Sequence, residues 1–168
     1  MKKIIFIFAF IFGSMALQSQ TPNYLMYSLF MNSFTRFVQW PPEASQGNFE
    51  IVVLGDSPAM AELKKMAELK KVGTRLMVVS KINSMAEYKN AHVLFIPSNW
   101  QGKYSDVVAK IGDTPVLVVT DLATAANKGS INFLNNKEGR LSFELNKPEL
   151  ALHKLKASAE LSRMAIVN

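Results

Sequence analysis

The chain offers few side chains suited to chemistry, and the most suggestive are two acids. Asp56 follows a β-rich run that ends at Leu54 and Gly55, and Asp121 follows another that ends at Thr120. In an open α/β sheet the carboxyl ends of the strands form the edge where ligands bind. Two acids at that edge are placed to hold Mg²⁺, as in phosphotransfer domains. The strand between them, however, ends in Pro97, Ser98 and Asn99, so a receiver-type phosphoacceptor aspartate is missing. Helix caps and turn residues are therefore the favoured roles for Asp56 and Asp121. Gly55-Asp56-Ser57-Pro58 opens a helix and offers free N–H groups to an anion, but it lacks the rest of a G-x-G-x-x-G pattern and is a weak signal. If a small solute binds, the expected contacts are Asp56, Ser57, Ser98, Asn99 and Asp121.

The remaining candidates form no constellation. His92 enters an apolar strand and His153 lies near the carboxyl end, with no cysteine in the chain and no His-x-x-His spacing near either. A serine hydrolase would carry a G-x-S-x-G elbow, and the sequence has none. An enzyme is not expected, and neither is a metal or other cofactor.

The elements that must position these residues alternate. From Tyr24 to Gln39 the residues Leu25, Leu29, Phe30, Phe34, Phe37 and Val38 recur at helical spacing, until Trp40, Pro41 and Pro42 end the pattern. Phe49 to Leu54 reads as a strand. Pro58 then suits the first turn of a helix capped by Ser57 or Asp56, with Met60, Leu63, Met66, Ala67 and Leu69 on its apolar face. Arg75 to Val79 is a strand, Ser84 to Tyr88 a short helix or turn, and Ala91 to Ile96 an apolar strand of the kind buried on both faces. Tyr104 to Ile111 is a helix and Val116 to Thr120 a strand. Ser130 to Leu134 and Arg140 to Leu145 alternate around a five-residue turn, a hairpin signal. Lys147 to Val167 reads as one final helix. Together these predict a single-domain α/β sandwich with a mainly parallel, Rossmann-like or flavodoxin-like sheet, helices on both faces, and a C-terminal antiparallel hairpin plus helix.

Composition narrows the class further. The chain has 168 residues, 49% hydrophobic and 19% charged, with a net charge of +6 and no cysteine, which excludes a disordered tail, a zinc finger and a disulfide-stapled miniprotein. Lys2 and Lys3 precede an apolar run from Ile4 to Leu17, shorter than the roughly 20 residues a bilayer span needs. Residues 1–20 are read as a secretory signal cleaved between about 16 and 20, and residues 21–168 as the exported domain. Losing the two leader lysines lowers the charge from +6 to +4. Lys64, Lys65, Lys70 and Lys71 alternate with Glu62 and Glu68 in the manner of a solvated helix face, and nucleic-acid binding is not expected.

Five segments carry a resemblance. They are Phe34-Thr35-Arg36-Phe37-Val38-Gln39-Trp40-Pro41, Ile51-Val52-Val53-Leu54-Gly55-Asp56, His92-Val93-Leu94-Phe95-Ile96, Gly129-Ser130-Ile131-Asn132-Phe133 and Leu141-Ser142-Phe143-Glu144-Leu145-Asn146. In order and spacing they resemble the YfiR family across essentially the whole mature chain. The resemblance implies a small periplasmic α/β protein, and the best-known members of that family restrain a membrane-bound diguanylate cyclase by binding its periplasmic part. Ser33 stands where the family often has asparagine and Gln39 replaces an acid. The cysteines of some members are absent, so redox-switched regulation is not implied. The motif positions Phe34, Phe37, Trp40, Pro41, Gly55, Gly129, Asn132, Phe133, Phe143 and Asn146 are expected to be mainly structural, with Trp40 as a plug at the helix end.

Two functions follow as expectations. The first is a non-enzymatic periplasmic regulator that docks on a membrane-bound signalling protein, a diguanylate cyclase by resemblance, and so represses cyclic di-GMP signalling. Such control needs only differential affinity for two partner conformations. It implies an exposed apolar patch, on the first or the final helix, where Met26, Met31 and Met164 suit an adaptable surface. The second is a small-ligand module at the carboxyl edge, read by a membrane histidine kinase. A homodimer is left open.

Overall fold

The computed structural model describes residues 24–121, 128–136, 138 and 140–166. The expected leader lies outside these residues. Helix α1 (Tyr24–Phe37) runs into the short strand β1 (Val38–Gln39), a 3-10 turn (Pro42–Ala44) and strand β2 (Phe49–Leu54). Helix α2 (Met60–Leu69), strands β3 (Lys71–Val72), β4 (Arg75–Ile82) and β5 (Val93–Ile96), and helix α3 (Tyr104–Ile111) follow. Strands β6 (Leu117–Asp121), β7 (Ile131–Asn135) and β8 (Leu141–Leu145) complete the main sheet. The chain closes with α4 (Lys147–Leu152), β9 (Lys156–Ala157) and α5 (Ala159–Met164).

The seven strands of the main sheet lie in the order β3-β4-β2-β5-β6-β7-β8. β4, β2, β5, β6 and β7 are parallel, while β3 and β8 pair antiparallel at the two ends. The strand order reverses at β2, which lies between β4 and β5, so the switch point of the sheet falls at the carboxyl ends of β2 and β5. Side chains alternate across the strands and build two cores. On one face Phe49, Ile51, Val53, Phe95, Val119, Phe133 and Phe143 pack under α1, α2 and α5. On the other, Val52, Leu54, Leu94, Ile96 and Val118 pack against Val107 and Ile111 of α3 and against Met85 and Tyr88. The segment around Ser84 is a turn, held by Glu87 N–H on Ser84 O, and not a helix.

Three expectations change. The final helix is broken: α4 ends at Leu152, Lys154 adopts φ +58°, and β9 pairs antiparallel with β1 before Ser158 caps α5 by accepting from Leu161 N–H. Leu150, Leu155 and Leu161 are all buried. On one continuous helix Leu155 would stand about 140° from Leu150 at about 100° per residue, so a straight helix could not bury all three against the same core. The inward face of α1 also differs from the periodic reading. Tyr27, Met31 and Phe34 point in, while Leu25 and Leu29 are half exposed at 49% and 50%. Met31 is thus core rather than surface, whereas Met164 remains 45% exposed. Finally, α2 starts at Met60, and Ser57 Oγ accepts from Ala59 N–H in the turn before it.

Candidate functional site

The carboxyl edge of the sheet brings the sequence candidates into two separate groups. Asp56, Ser57 and Asn99 line one open depression of about 460 Å³ with Pro58, Met60 and Lys81. Lys81 Nζ donates to Asp56 Oδ1 at 2.7 Å, an ion pair whose acid side chain is 88% exposed. β4 supplies the lysine because its register sets Lys81 beside Val53 of β2. The acid is therefore already paired, and the depression is open to water.

Ser98 and Asp121 form the second group, away from that depression. Tyr27 Oη of α1 donates to Asp121 Oδ1 at 2.7 Å, Ser98 donates to the same carboxylate, and the Gln101 side-chain amide donates to the Asp121 carbonyl. Burial raises the Asp121 carboxyl above the usual carboxylate range, and the Tyr27 and Ser98 hydrogen bonds oppose that rise. Burial, with the Asp121 hydrogen bond, pushes the Tyr27 phenol well up. The phenol thus stays protonated and donates, which makes the pair a clamp between α1 and β6. Among the described residues Asp56 and Asp121 share no partner. Among the described residues no three His, Cys, Asp or Glu side chains gather as a metal site.

The crevice at the switch point is occupied by the chain itself. Gly55 has φ +76°, and a Cβ placed on it would lie 1.9 Å from Trp100 Nε1. The indole therefore lies directly against the glycine backbone, between the ends of β2 and β5. Glycine is favoured here by the left-handed φ and by the close approach of the indole, which a side chain would have to displace. Nothing local in the sequence announces this contact, because Trp100 sits in a 3-10 segment (Ser98–Lys103) 45 residues from its partner.

The opposite, amino edge of the sheet is closed by polar groups. Arg75 at the start of β4 donates to the carbonyls of Ala44, Gln46, Gly47 and Asn48. Its guanidinium also lies 5.5 Å over the Phe49 ring. His92 Nδ1 accepts from Glu50 N–H at 3.0 Å, while Nε2 lies 2.8 Å from the Ala44 carbonyl and 2.7 Å from the Arg75 guanidinium. Burial lowers the His92 pKa, and the Arg75 charge lowers it further against the Ala44 hydrogen bond. Trp40 Nε1 donates to the His92 carbonyl at 3.2 Å and packs edge-on against Phe49, 5.0 Å between centroids. Trp40 plugs the end of α1.

The other motif positions pack or bond within the fold. Phe34, Phe133 and Phe143 are fully buried and pack together, Phe37 is half-buried, and Pro41 precedes the 3-10 turn. Asn132 is buried and its Oδ1 accepts from both Thr120 Oγ1 and Gly129 N–H at 2.7 Å. A Cβ on Gly129 would meet the Val118 carbonyl oxygen at 2.7 Å, so only glycine lets the chain approach β6 there. Asn146 caps α4 by accepting from Glu149 N–H. His153, buried at 1% exposure, uses Nδ1 on the Thr114 carbonyl at 2.9 Å and sets Nε2 3.4 Å from Glu149. Sequence reasoning missed Tyr27, Lys81, Trp100 and Arg75, whose roles depend on partners 25 or more residues distant.

The surface over α1 and α2 is apolar instead. Leu25 and Leu29 of α1, with Met66 and Leu69 of α2, line a groove of about 130 Å³. No curated protein matches the chain. A family model described as YfiR/HmsC-like matches residues 26–166, from the first turn of α1 to the last residue described.

Proposed function

The chain belongs to the YfiR/HmsC-like family, whose members are regulatory periplasmic proteins of cyclic di-GMP signalling, and from that premise we propose that it is a non-enzymatic periplasmic regulator. It is exported by a leader cleaved between residues 16 and 20, and residues 21–168 form the working domain. It binds the periplasmic part of a membrane-bound diguanylate cyclase and shifts that enzyme toward its inactive state. The order of the five parallel strands supports a flavodoxin-like reading of the scaffold.

One observation carries the reading: Leu25 and Leu29 are half exposed on a helix whose opposite side is fully packed. Exposed leucines one turn apart contribute little to packing this domain, whereas a protein partner can bury them. Docking of this kind needs no reacting group, and Asp56 with Lys81, Tyr27 with Asp121, and Arg75 and His92 are committed to one another or to backbone carbonyls. The second reading is a small-ligand module that signals to a membrane histidine kinase, and the open depression at Asp56, Ser57 and Asn99 favours it.

The test is made in the native host. A tagged mature chain is crosslinked in the envelope while cyclic di-GMP is measured with and without the protein. Recovery of one membrane cyclase, with cyclic di-GMP rising on deletion, supports the regulatory reading. A folded periplasmic chain that recovers no membrane protein and leaves cyclic di-GMP unchanged overturns it and directs attention to the Asp56 depression.

A further inference from the structure

α1 and α2 lie side by side over one face of the sheet, and their outward sides leave the groove between them open. Its walls are Leu25 and Leu29, one turn apart on α1, and Leu69 on α2, which is 71% exposed, with Met66 at the floor. Glu62, Lys65 and Lys70 stand at its rim. Within this length α2 and the residues after it carry Lys64, Lys65, Lys70 and Lys71 against Glu62 and Glu68. Among the described residues, none of these lysines takes part in an ion pair. The groove is thus apolar at its centre and cationic in excess at its rim.

Two neighbouring helices with an open seam accept a third helix by packing its ridge of side chains between them. Resting on the regulatory reading above, we propose that this groove docks one short acidic amphipathic helix from the periplasmic part of the membrane partner. Apolar side chains of that helix at i, i+4 and i+7 cover Leu25, Leu29 and Leu69, and its flanking carboxylates meet Lys65 and Lys70. A second copy of the chain fits less well, because a two-fold axis through the groove sets one lysine-rich rim against another.

The experiment uses the full mature chain and a labelled peptide of about 18 residues, roughly five helical turns, with leucine at i, i+4 and i+7 and glutamate beside them. Its twin carries lysine for every glutamate. Fluorescence anisotropy is expected to show the acidic peptide binding at least about tenfold tighter than its twin. Leu29→Asp, a substitution at a half-exposed position whose folding circular dichroism checks, is expected to abolish binding. Lys65→Glu is expected to weaken the acidic peptide and improve the basic one. Equal binding of the two peptides, or acidic-peptide binding unchanged by Leu29→Asp, overturns the proposal. So does a dimer, seen by sedimentation, that Leu29→Asp converts to monomer, since a second copy then occupies the groove. The two readings fail separately. A Leu29→Asp chain that still captures the membrane cyclase and lowers cyclic di-GMP sinks the groove assignment alone. A wild-type chain that binds the acidic peptide but leaves cyclic di-GMP unchanged sinks the regulatory reading alone.

Discussion

At the amino edge of the parallel strands, Arg75 and His92 direct their nitrogens at backbone carbonyls of residues 44–48, so a partly exposed cation and a buried imidazole serve as ties for one loop. At the carboxyl edge, Asp56, Lys81, Tyr27 and Asp121 bond side chain to side chain, and the Asp56–Lys81 pair is largely in water. The same residue types therefore do different work at the two ends of one sheet. A charged group bonded to several backbone oxygens of one loop is structural, because moving it gives up several charge-assisted bonds that together hold the loop's shape. A charged pair in water can exchange its partner at little cost.

Removing Arg75 should break the comparison most severely. Arg75→Met forfeits charge-assisted hydrogen bonds to the carbonyls of Ala44, Gln46, Gly47 and Asn48, and a loss of about 3 kcal/mol is expected in urea unfolding. A loss below about 1 kcal/mol would show that the loop holds itself. Next is Gly129→Ala, whose new methyl meets the Val118 carbonyl 2.7 Å away on a central strand that cannot retreat. About 2 kcal/mol of destabilisation is expected, read from the same unfolding curves. Gly55→Ala should cost less, about 1 kcal/mol for the left-handed backbone, because the Trp100 indole can swing away. Its signature is optical: Trp100 should become more accessible to acrylamide quenching, and unchanged quenching would place the indole elsewhere.

The amino edge also predicts a pH dependence. Burial and Arg75 hold His92 neutral in the folded chain. The unfolded chain takes up a proton as pH falls through about 6.5, while the folded ring resists until lower pH. Stability contributed by the neutral ring is present above that value and is lost as pH falls through the lowered folded pKa. Nuclear magnetic resonance titration of the ring should give a midpoint below that of a free histidine, and a midpoint at or above it would contradict the buried, neutral assignment. The smallest effect belongs to the carboxyl edge. Lys81→Ala should change stability by under about 0.5 kcal/mol, since the pair is exposed. A larger loss in thermal unfolding would mean that the edge is as rigid as its opposite.

Much of this architecture was legible in local pattern. The alternation of Phe49–Leu54, Val93–Ile96 and Leu117–Asp121 with helical segments announces a mostly parallel sheet, since strands buried on both faces are largely apolar. That Phe34 is buried was also accessible, because bulky aromatics at helical spacing usually face a core. The candidate site was less legible. Asp56 and Asp121 were recognisable as edge residues, but their separate partners were not, since Lys81 and Tyr27 arrive from other elements.

By itself, then, the sequence determined the element types, the family and the list of edge residues, because periodicity, turn chemistry and motif order are properties of neighbouring residues. The tertiary structure decided which side of α1 faces out, that the final helix breaks at His153 and Lys154, and that Trp100 fills the switch-point crevice. Each of those choices is made by contacts between distant segments competing for the same core. A helical period says that one face of α1 must be buried, but only the position of Phe133 and Phe143 selects Tyr27, Met31 and Phe34 as that face and leaves Leu25 and Leu29 half exposed.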